Sequence, residues 1–298
     1  MITICKTCVM DSTIKNIKFD KDGNCNFCKD AKSVLKKDQR LKDNNFFYKI
    51  IDKIKSEKKS SSNYHCVCGI SGGVDSSFLL HLLKKEKINP LVVHLDNGWN
   101  SKTAIKNIYN ILDKLNFDLY THVIEWDEFK KLQKSFLKSS IANLEIPSDH
   151  AIFSLLFETA DKQNIKYILH GGNHVSESIM PDIWMESQMD QKLIYDVNKK
   201  FENTTLKTFP TQNYFDLFKR IYLKKIKYIG LLNYIDYNVS ATKDFLMKEY
   251  NWEPYPQKHG ESFFTHFFQY YILPKKYKID KRKAHFSSLI VSKQMLRN

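Results

Sequence analysis

The stretch that most constrains this chain is Tyr64 to Ser77, Tyr-His-Cys-Val-Cys-Gly-Ile-Ser-Gly-Gly-Val-Asp-Ser-Ser. Val67 to Ile70 is a short apolar run of the kind that forms a buried strand. It passes straight into Ser71-Gly72-Gly73, after which Phe78, Leu79, Leu82 and Leu83 recur at helical spacing. A helix is therefore expected to begin near Asp75. Two glycines let the backbone turn sharply and let a ligand come close to it. The N–H groups of the first helical turn, with the positive end of the helix dipole behind them, point into that turn. Ser71, Ser76 and Ser77 add hydroxyls. Such a construction suits a phosphate or pyrophosphate. It is not a Walker A loop, because no Gly-Lys-Ser/Thr closes it, and it is not G-x-G-x-x-G. A Ser/Gly turn that only caps a helix is the plain alternative. It is the weaker one, because strand, glycines, hydroxyls and helix follow in the order an anion site needs.

The elements downstream extend the pattern. Leu91 to Leu95 is a second buried strand, ending in the polar turn Asp96-Asn97-Gly98-Trp99-Asn100. Ala104, Ile105, Ile108, Ile111, Leu112 and Leu115 mark an amphipathic helix. Leu119 to Ile124 is a third strand, and Phe129, Leu132, Phe136 and Leu137 mark the next helix. A helix over Ala151 to Ala160 follows, with Ser148 or Asp149 as its expected N-cap. Tyr167 to Leu169 is a fourth strand, ending in His170-Gly171-Gly172-Asn173. Strands alternating with helices imply a parallel sheet with helices on both faces. In such sheets ligands sit at the carboxyl ends of the strands. Asp96, Asn97, Gly171 and Gly172 are placed there to meet a nucleotide. Asp149 and His150 are candidates for a substrate cleft, and Glu177 for a Mg²⁺ ligand on the phosphates. The competing role for Glu177 is a first-turn helix carboxylate, and for Asn97-Gly98 a plain turn.

Before this sheet stand Cys5-x-x-Cys8 and Cys25-x-x-Cys28, two knuckles with 16 residues between them. Four cysteines so spaced signal a closed, structural zinc site, with an iron–sulfur cluster or reducible thiols as alternatives. The segment has too few apolar residues for a core of its own, so metal would supply its folding energy. Cys66 and Cys68, in the first strand, read as buried structural thiols. The expected division is a knuckle over residues 1–30, a helical connector over 31–63, the nucleotide domain over 64–180 and a mostly helical region over 181–298. The fold class is therefore α/β, a doubly wound parallel sheet with an N-terminal zinc knuckle and a helical C-terminal part.

The formal net charge is +14, and the lysines are spread along the whole chain. Diffuse lysine is more often solvated surface than an RNA groove, so no nucleic-acid partner is expected. No uninterrupted apolar stretch of about 18 residues exists, so no membrane span is expected. The N-terminus lacks a basic segment followed by an apolar one, so the expected location is the cytoplasm. In the tail, Lys258, Arg282 and His285 could bind a phosphate or carboxylate, against the commoner reading of a solvated charge run.

The motif Ser-Gly-Gly-x-Asp-Ser-Ser at 71–77 resembles the PP-loop of the ATP pyrophosphatase superfamily, with its adenine nucleotide alpha hydrolase-like fold. The resemblance reaches further, to the N-acetyl sugar amidotransferases. It is carried by Cys5-x-x-Cys8-Val9-Met10-Asp11, by Val93-His94-x-Asp96-Asn97-Gly98-Trp99-Asn100 and by Ile146-Pro147-x-Asp149-His150-Ala151. Gly171-Gly172-Asn173, Leu206-Lys207-Thr208-Phe209-Pro210 and Leu231-Leu232-Asn233-Tyr234-Ile235 match as well. So do Lys258-His259-x-Glu261-Ser262-x-Phe264-Thr265 and Asp280-Lys281-Arg282-x-Ala284-His285. Members of that family usually continue beyond the point corresponding to Asn298, so this chain is expected to be short beside them.

The resemblance implies ATP on the loop, with Ser71, Gly72, Gly73, Asp75, Ser76 and Ser77 at the phosphates and Mg²⁺ as cofactor. It implies adenylation of the amide oxygen of an N-acetylated sugar, then displacement of AMP by ammonia to give an acetamidino group, in bacterial lipopolysaccharide, O-antigen or pseudaminic acid synthesis. Asp75, Ser71, Asp149, His150, Lys258 and Arg282 are the candidate catalytic residues. Ammonia would come from a glutaminase partner, with a barrel synthase subunit, the two resembling the histidine-biosynthesis pair. Two other readings compete. One is a PP-loop tRNA-modifying enzyme of thiolase or lysidine type; the other is a non-catalytic assembly partner built on the knuckle.

Overall fold

In the computed structural model, residues 1–184 and 186–297 are described. Near its start lie the two cysteine knuckles, the first flanked by the isolated bridge Ile4–Asp11 and the second entered through the bridge Phe19–Cys25. Helices α1 (Asn26–Asp43) and α2 (Phe46–Ser56) follow, so the first connector helix starts within the second knuckle. The alternating part runs β1 (Cys66–Gly69), α3 (Val74–Lys85), β2 (Pro90–Asp96), α4 (Lys102–Leu115), β3 (Leu119–Val123), α5 (Trp126–Ser139), α6 (Ile146–Lys162) and β4 (Tyr167–His170). Next come α7 (His174–Glu177), α8 (Gln191–Phe201), α9 (Tyr214–Phe218), β5 (Lys227–Gly230), α10 (Val239–Tyr250), α11 (Phe263–Phe267) and α12 (Lys281–Val291). Stretches of π-helix extend α9 over Lys219–Leu223 and α11 over Phe268–Tyr277.

All five strands are parallel, in the order β3-β2-β1-β4-β5. Successive residues of a strand face opposite sides of the sheet, and the packing follows that alternation. Val67, Leu91, Val93, Leu95 and Ile168 join the core beneath α5, α6 and α8, with Phe129, Phe136, Leu155, Phe157 and Ile194. Cys66, Cys68, Val92, Tyr167 and Leu169 join the opposite core, with Leu79, Leu83, Ile111 and Leu246 from α3, α4 and α10. This is the expected doubly wound sheet with helices on both faces.

Two expectations are corrected. The sheet takes its fifth strand, Lys227–Gly230, from within the mostly helical region, and it pairs from Tyr167–Lys227 to His170–Gly230. The boundary expected near residue 180 is thus not an edge of the sheet. A four-residue edge strand, half-buried and flanked by lysines, leaves too short a period to read. Helix α6 also starts earlier than expected, at Ile146, with Pro147 in its first turn where a missing N–H does no harm. Asp149 is therefore a first-turn residue and not a cap.

The knuckles do not stand alone. Cys5, Cys8, Cys25 and Cys28 share an apolar cluster with Met10, Ile14, Ala31, Ile179, Trp184 and Ala284 of α12. The Val9 N–H donates to Ser287 Oγ at 3.3 Å, and Lys283 Nζ to Asp11 Oδ2 at 2.5 Å. The Arg297 guanidinium donates to the carbonyls of Cys8 and Cys5, at 3.1 and 2.9 Å. Among the described residues, no helix is long and apolar enough to cross a membrane.

Candidate active site and metal centre

The turn between β1 and α3 is open at its helical end. Gly73 is the N-cap of α3 and has no side chain with which to cap it, so the first-turn N–H groups face outward. The hydroxyls of Ser71 and Ser76 stand 3.3 Å apart beside it, and Ser76 Oγ donates to the Gly73 carbonyl at 3.2 Å. Ser71 is exposed. Ser77 is not on this surface: it is fully buried, and its hydroxyl finds no hydrogen-bond partner among the described residues.

The back of the turn is fixed by contacts the sequence did not announce. Gly72 has φ +80°, and a Cβ there would lie 2.5 Å from the Ala104 carbonyl oxygen. Its own carbonyl accepts from Trp252 Nε1 (2.9 Å), Tyr255 Oη (2.9 Å) and Asn107 Nδ2 (3.4 Å). Gly171 closes the other side. A Cβ on it would lie 2.7 Å from the Asp75 carbonyl carbon and the Ser76 nitrogen, so the β4 loop packs directly on the first turn of α3. This gives a physical reason for Gly171 as a packing residue. Gly172 lies beside Glu177, whose Oε2 would be 3.9 Å from an added Cβ.

Three carboxylates and one ammonium gather in front of the turn. Asp75 accepts a hydrogen bond from the Tyr237 hydroxyl. Burial, then the Glu177 charge, push its carboxyl up to about 6, against the Tyr237 bond and Lys258. Lys258 Nζ is 3.4 Å from Glu177 Oε1 and 3.0 Å from His285 Nδ1. Burial first, then Lys258, push the His285 imidazole down to about 4, so it is neutral at physiological pH; its Nδ1 also lies 3.0 Å from the Ser176 carbonyl, to which the Nδ1–H tautomer donates. Glu261 Oε1 would be 3.8 Å from a Cβ on Gly73. Burial acts to raise the Glu261 carboxyl, but His259, 3.6 Å away, and Lys258 hold it below its ordinary value. A helix N-terminus with hydroxyls, an ammonium and clustered carboxylates fits a polyphosphate and a hard divalent cation. Glu177, Asp75 and Glu261 are the residues that could hold the cation.

The other expected residues divide. Asp96 Oδ1 accepts from the Gly98 N–H (2.9 Å) and Asn100 Nδ2 (3.2 Å), and Asn97 Nδ2 donates to Ser148 Oγ at 3.1 Å. Both therefore lie at the carboxyl end of β2, and Asn97 ties it to the start of α6. Asp149 Oδ2 accepts from Gln188 Nε2 at 2.6 Å. His150 is fully buried; Nδ1 donates to the Gln188 carbonyl (2.8 Å), and Nε2 accepts from the Gln212 N–H (3.3 Å). With both nitrogens engaged, His150 ties α6 to the 188 and 212 loops and has no free nitrogen for proton transfer. Arg282 does not join Lys258 and His285. Its guanidinium pairs bidentately with Asp280, at 2.8 and 2.6 Å, and lies over Tyr270. Cys66 and Cys68 are fully buried, and burial raises both thiols well above their ordinary value, so neither is a ready nucleophile.

The four knuckle sulfurs lie within 4.8 Å of one another, and Cys5–Cys28 and Cys8–Cys25 are each 3.8 Å apart. Sulfurs about 2.3 Å from one central ion stand about 3.8 Å from each other in a tetrahedron. The set thus fits a single four-coordinate metal ion. Hydrogen bonds from Cys25 and then Cys28 hold the Cys8 thiol far below its ordinary value, while Cys25 and Cys28 are held above theirs, so without metal the close thiols share one negative charge. The N–H groups of Thr7 and Cys25 donate to Cys5 Sγ, and that of Met10 to Cys8 Sγ, which suits thiolates.

Two parts of the chain match described families. Residues 65–139 match the phosphoadenosine phosphosulfate reductase domain, a PP-loop domain. Residues 261–298 match the family described as LPS biosynthesis protein WbpG-like, C-terminal domain. The two meet in space: the Ser101 N–H donates to the Glu261 carbonyl, and the Phe263 N–H to that of Trp99, both at 2.9 Å. An uncharacterized protein of Methanocaldococcus jannaschii is 44% identical over 63 residues, which are 21% of this chain and 23% of that protein. The match thus spans under a quarter of that relative's length.

Among solved structures, NH3-dependent NAD synthetase from Campylobacter jejuni is similar at 18% identity, over 74% of this chain and 98% of that one, with a TM-score of 0.36. U34-tRNA thiolase NcsA from Methanococcus maripaludis, solved with its [4Fe-4S] cluster, is similar at 16% identity, over 84% of each chain, with a TM-score of 0.35. NMN synthetase from Francisella tularensis is similar at 12% identity, over 72% and 98%, with a TM-score of 0.35. At this level of likeness these structures carry nothing about the site. Taken together, the five-stranded parallel sheet, the 65–139 match and the open loop at 71–77 give this chain the PP-loop fold, with a four-cysteine cluster before it and a helical part after it.

Proposed function

We propose that this chain is an ATP-dependent amidotransferase acting on an N-acetylated sugar, in the synthesis of a bacterial surface glycan. The observation that carries the reading is Glu261 at the mouth of the loop. It begins the segment matched to a lipopolysaccharide-biosynthesis family, and it faces the uncapped start of α3 together with Lys258 and Glu177. ATP lies with its phosphates on the first-turn N–H groups of α3 and the hydroxyls of Ser71 and Ser76. Glu177, Asp75 and Glu261 would hold Mg²⁺, which would neutralise phosphate charge. The amide oxygen of the substrate attacks the α-phosphorus, and pyrophosphate leaves with the bonding electrons. Ammonia then adds to the activated carbon, AMP departs, and loss of a proton leaves the amidine. Lys258 offsets the charge that gathers on the departing pyrophosphate.

Zinc in the four-cysteine site is part of the proposal, supported by the 3.8 Å sulfur spacing. An ammonia-supplying glutaminase and a barrel synthase subunit are its proposed partners. Incubation with ATP, Mg²⁺, ammonium and a panel of N-acetylated sugars is the test. AMP and pyrophosphate in equal amounts, dependent on sugar and ammonium, are expected. ATP turnover that ignores every sugar but responds to tRNA would replace this reading with the tRNA-modifying one.

A further inference from the structure

A second concavity lies beside the loop, on the substrate side of the sheet's carboxyl edge. Asp149, Ile152, Phe153, Gln188 and Tyr228 line a cavity of about 180 Å³. Its walls and its rim are chemically distinct. Phe153 and Tyr228, with ring centroids 5.2 Å apart at 61°, form an aromatic corner, and Ile152 is exposed beside them. Asp149 and Gln188 form a polar edge, tied by their 2.6 Å hydrogen bond. Asp149 Oδ1 and the Tyr228 hydroxyl have no hydrogen-bond partner among the described residues.

The cavity is wired to both sides of the loop. The Tyr228 ring stacks on His170, with centroids 4.1 Å apart, and His170 Nδ1 accepts from the Gly172 N–H at 3.1 Å. Ser148, next to Asp149, is the residue that Asn97 grips from the end of β2. The cavity is therefore joined through Tyr228 and His170 to the β4 loop, whose Gly171 packs on the first turn of α3.

We propose that this cavity is the subsite for one uncharged pyranose ring bearing an acetamido group, with Phe153 and Tyr228 against its C–H face and Asp149 and Gln188 on its hydroxyl and amide edge. The proposal rests on the amidotransferase reading and names where its substrate sits. Size argues for one ring, since pockets for larger ligands begin at about 300 Å³. His170 covers one face of Tyr228; the aromatic surface left to the cavity by Tyr228 and Phe153 is electron-rich and attracts the polarised C–H groups of a sugar. The polar edge carries no net charge near neutrality, because burial, then the Glu145 charge, push the Asp149 carboxyl up to about 8. Burial, then the Asp149 charge, raise the Tyr228 phenol to about 12, so it remains a donor. Protonated Asp149 and Tyr228 donate, and Gln188 does both, which matches hydroxyls and an amide better than a phosphate or carboxylate.

The test uses saturation-transfer NMR on the full chain, with N-acetylglucosamine as probe and glucose as its match lacking the acetamido group. ATP affinity is measured on the same samples. N-acetylglucosamine is expected to receive saturation and glucose much less. Gln188→Ala and Tyr228→Ala are expected to weaken the N-acetylglucosamine signal about fivefold or more, the scale of one or two lost hydrogen bonds, while ATP affinity stays within about twofold. The Gln188 substitution keeps the backbone carbonyl that His150 uses, so it guards against a misfolded Tyr228 variant. Equal signals in wild type and Gln188→Ala, equal signals for the two sugars, or no transfer at all would each overturn this subsite. Failure of wild type to bind ATP would instead overturn the function proposed above.

Discussion

Gly171→Ala tests whether the first turn of α3 is the anion site. The new methyl would lie 2.7 Å from the Asp75 carbonyl carbon and the Ser76 nitrogen. Ordinary carbon contacts begin at about 3.5 Å, so it intrudes by about 0.8 Å. Both neighbours are backbone, so no side-chain rotation relieves the clash, and the β4 loop or the start of α3 must move. Overpacking of this kind costs about 1–3 kcal/mol, which at this chain length lowers Tm by about 2–6 °C. The effect on chemistry is larger, because a displacement approaching 1 Å at a positioning group costs about 100-fold in rate. The assay is pyrophosphate release at varied ATP, beside a thermal melt. Gly69→Ala is the control: its Cβ would meet only the Leu156 side chain, at 3.4 Å, and activity is expected within about threefold of wild type. If Gly171→Ala melts a few degrees lower yet keeps its kcat/KM for ATP, the phosphates do not rest on α3. If neither quantity changes, the packing itself is misread.

Other expectations follow from the same contacts. Trp252→Phe keeps the ring and deletes one of three donors to the Gly72 carbonyl; a loss of about 0.5–1.5 kcal/mol should raise the Kd for ATP by severalfold in calorimetry, and an unchanged Kd would dismiss the strut. Metal analysis of purified protein should return one zinc per chain, and Cys8→Ser should lower both zinc content and Tm, whereas iron or a metal-free stable protein would refute the assignment. His170 and His285 are each pushed down to about 4, chiefly by burial. A histidine whose folded pKa is depressed contributes full stability above its unfolded pKa of about 6.5 and loses it as pH falls toward about 4, by at most about 3 kcal/mol each. Denaturant midpoints should therefore fall between pH 6.5 and 4, less steeply in His285→Gln, and a flat profile would contradict neutral burial.

How far the sequence can be read depends on how local each signal is. The 71–77 turn is one continuous stretch, so strand, glycines and helix start were all visible in it. The four cysteines needed only their spacing. Gly171 was visible as an oddity at a strand end, but its contact with Asp75 and Ser76 spans almost a hundred residues and has no local mark. The same holds for Trp252, Tyr255 and Asn107, which converge on one carbonyl from two distant segments. Tyr237 and Gln188 gave no signal at all. Asp149 and His150 sit side by side in sequence, yet consecutive helix positions point about 100° apart, so one faces a cavity while the other is locked inside. Arg282 reads as an anion ligand in the sequence because composition cannot reveal that Asp280, two residues away, already holds it.

The grip of Arg297 on Cys5 and Cys8 has an implication for how the molecule is made. The guanidinium and the carbonyls it covers are 292 and 289 positions apart in the chain. During synthesis the cysteines therefore leave the ribosome long before their clasp exists, and α12, which supplies their other wall, also comes late. The nascent knuckles must travel with unfinished packing, their thiols open to metal or to oxidation, until Arg297 has emerged and can reach them. Packing of the cysteine knuckles thus waits for a segment made almost three hundred residues later.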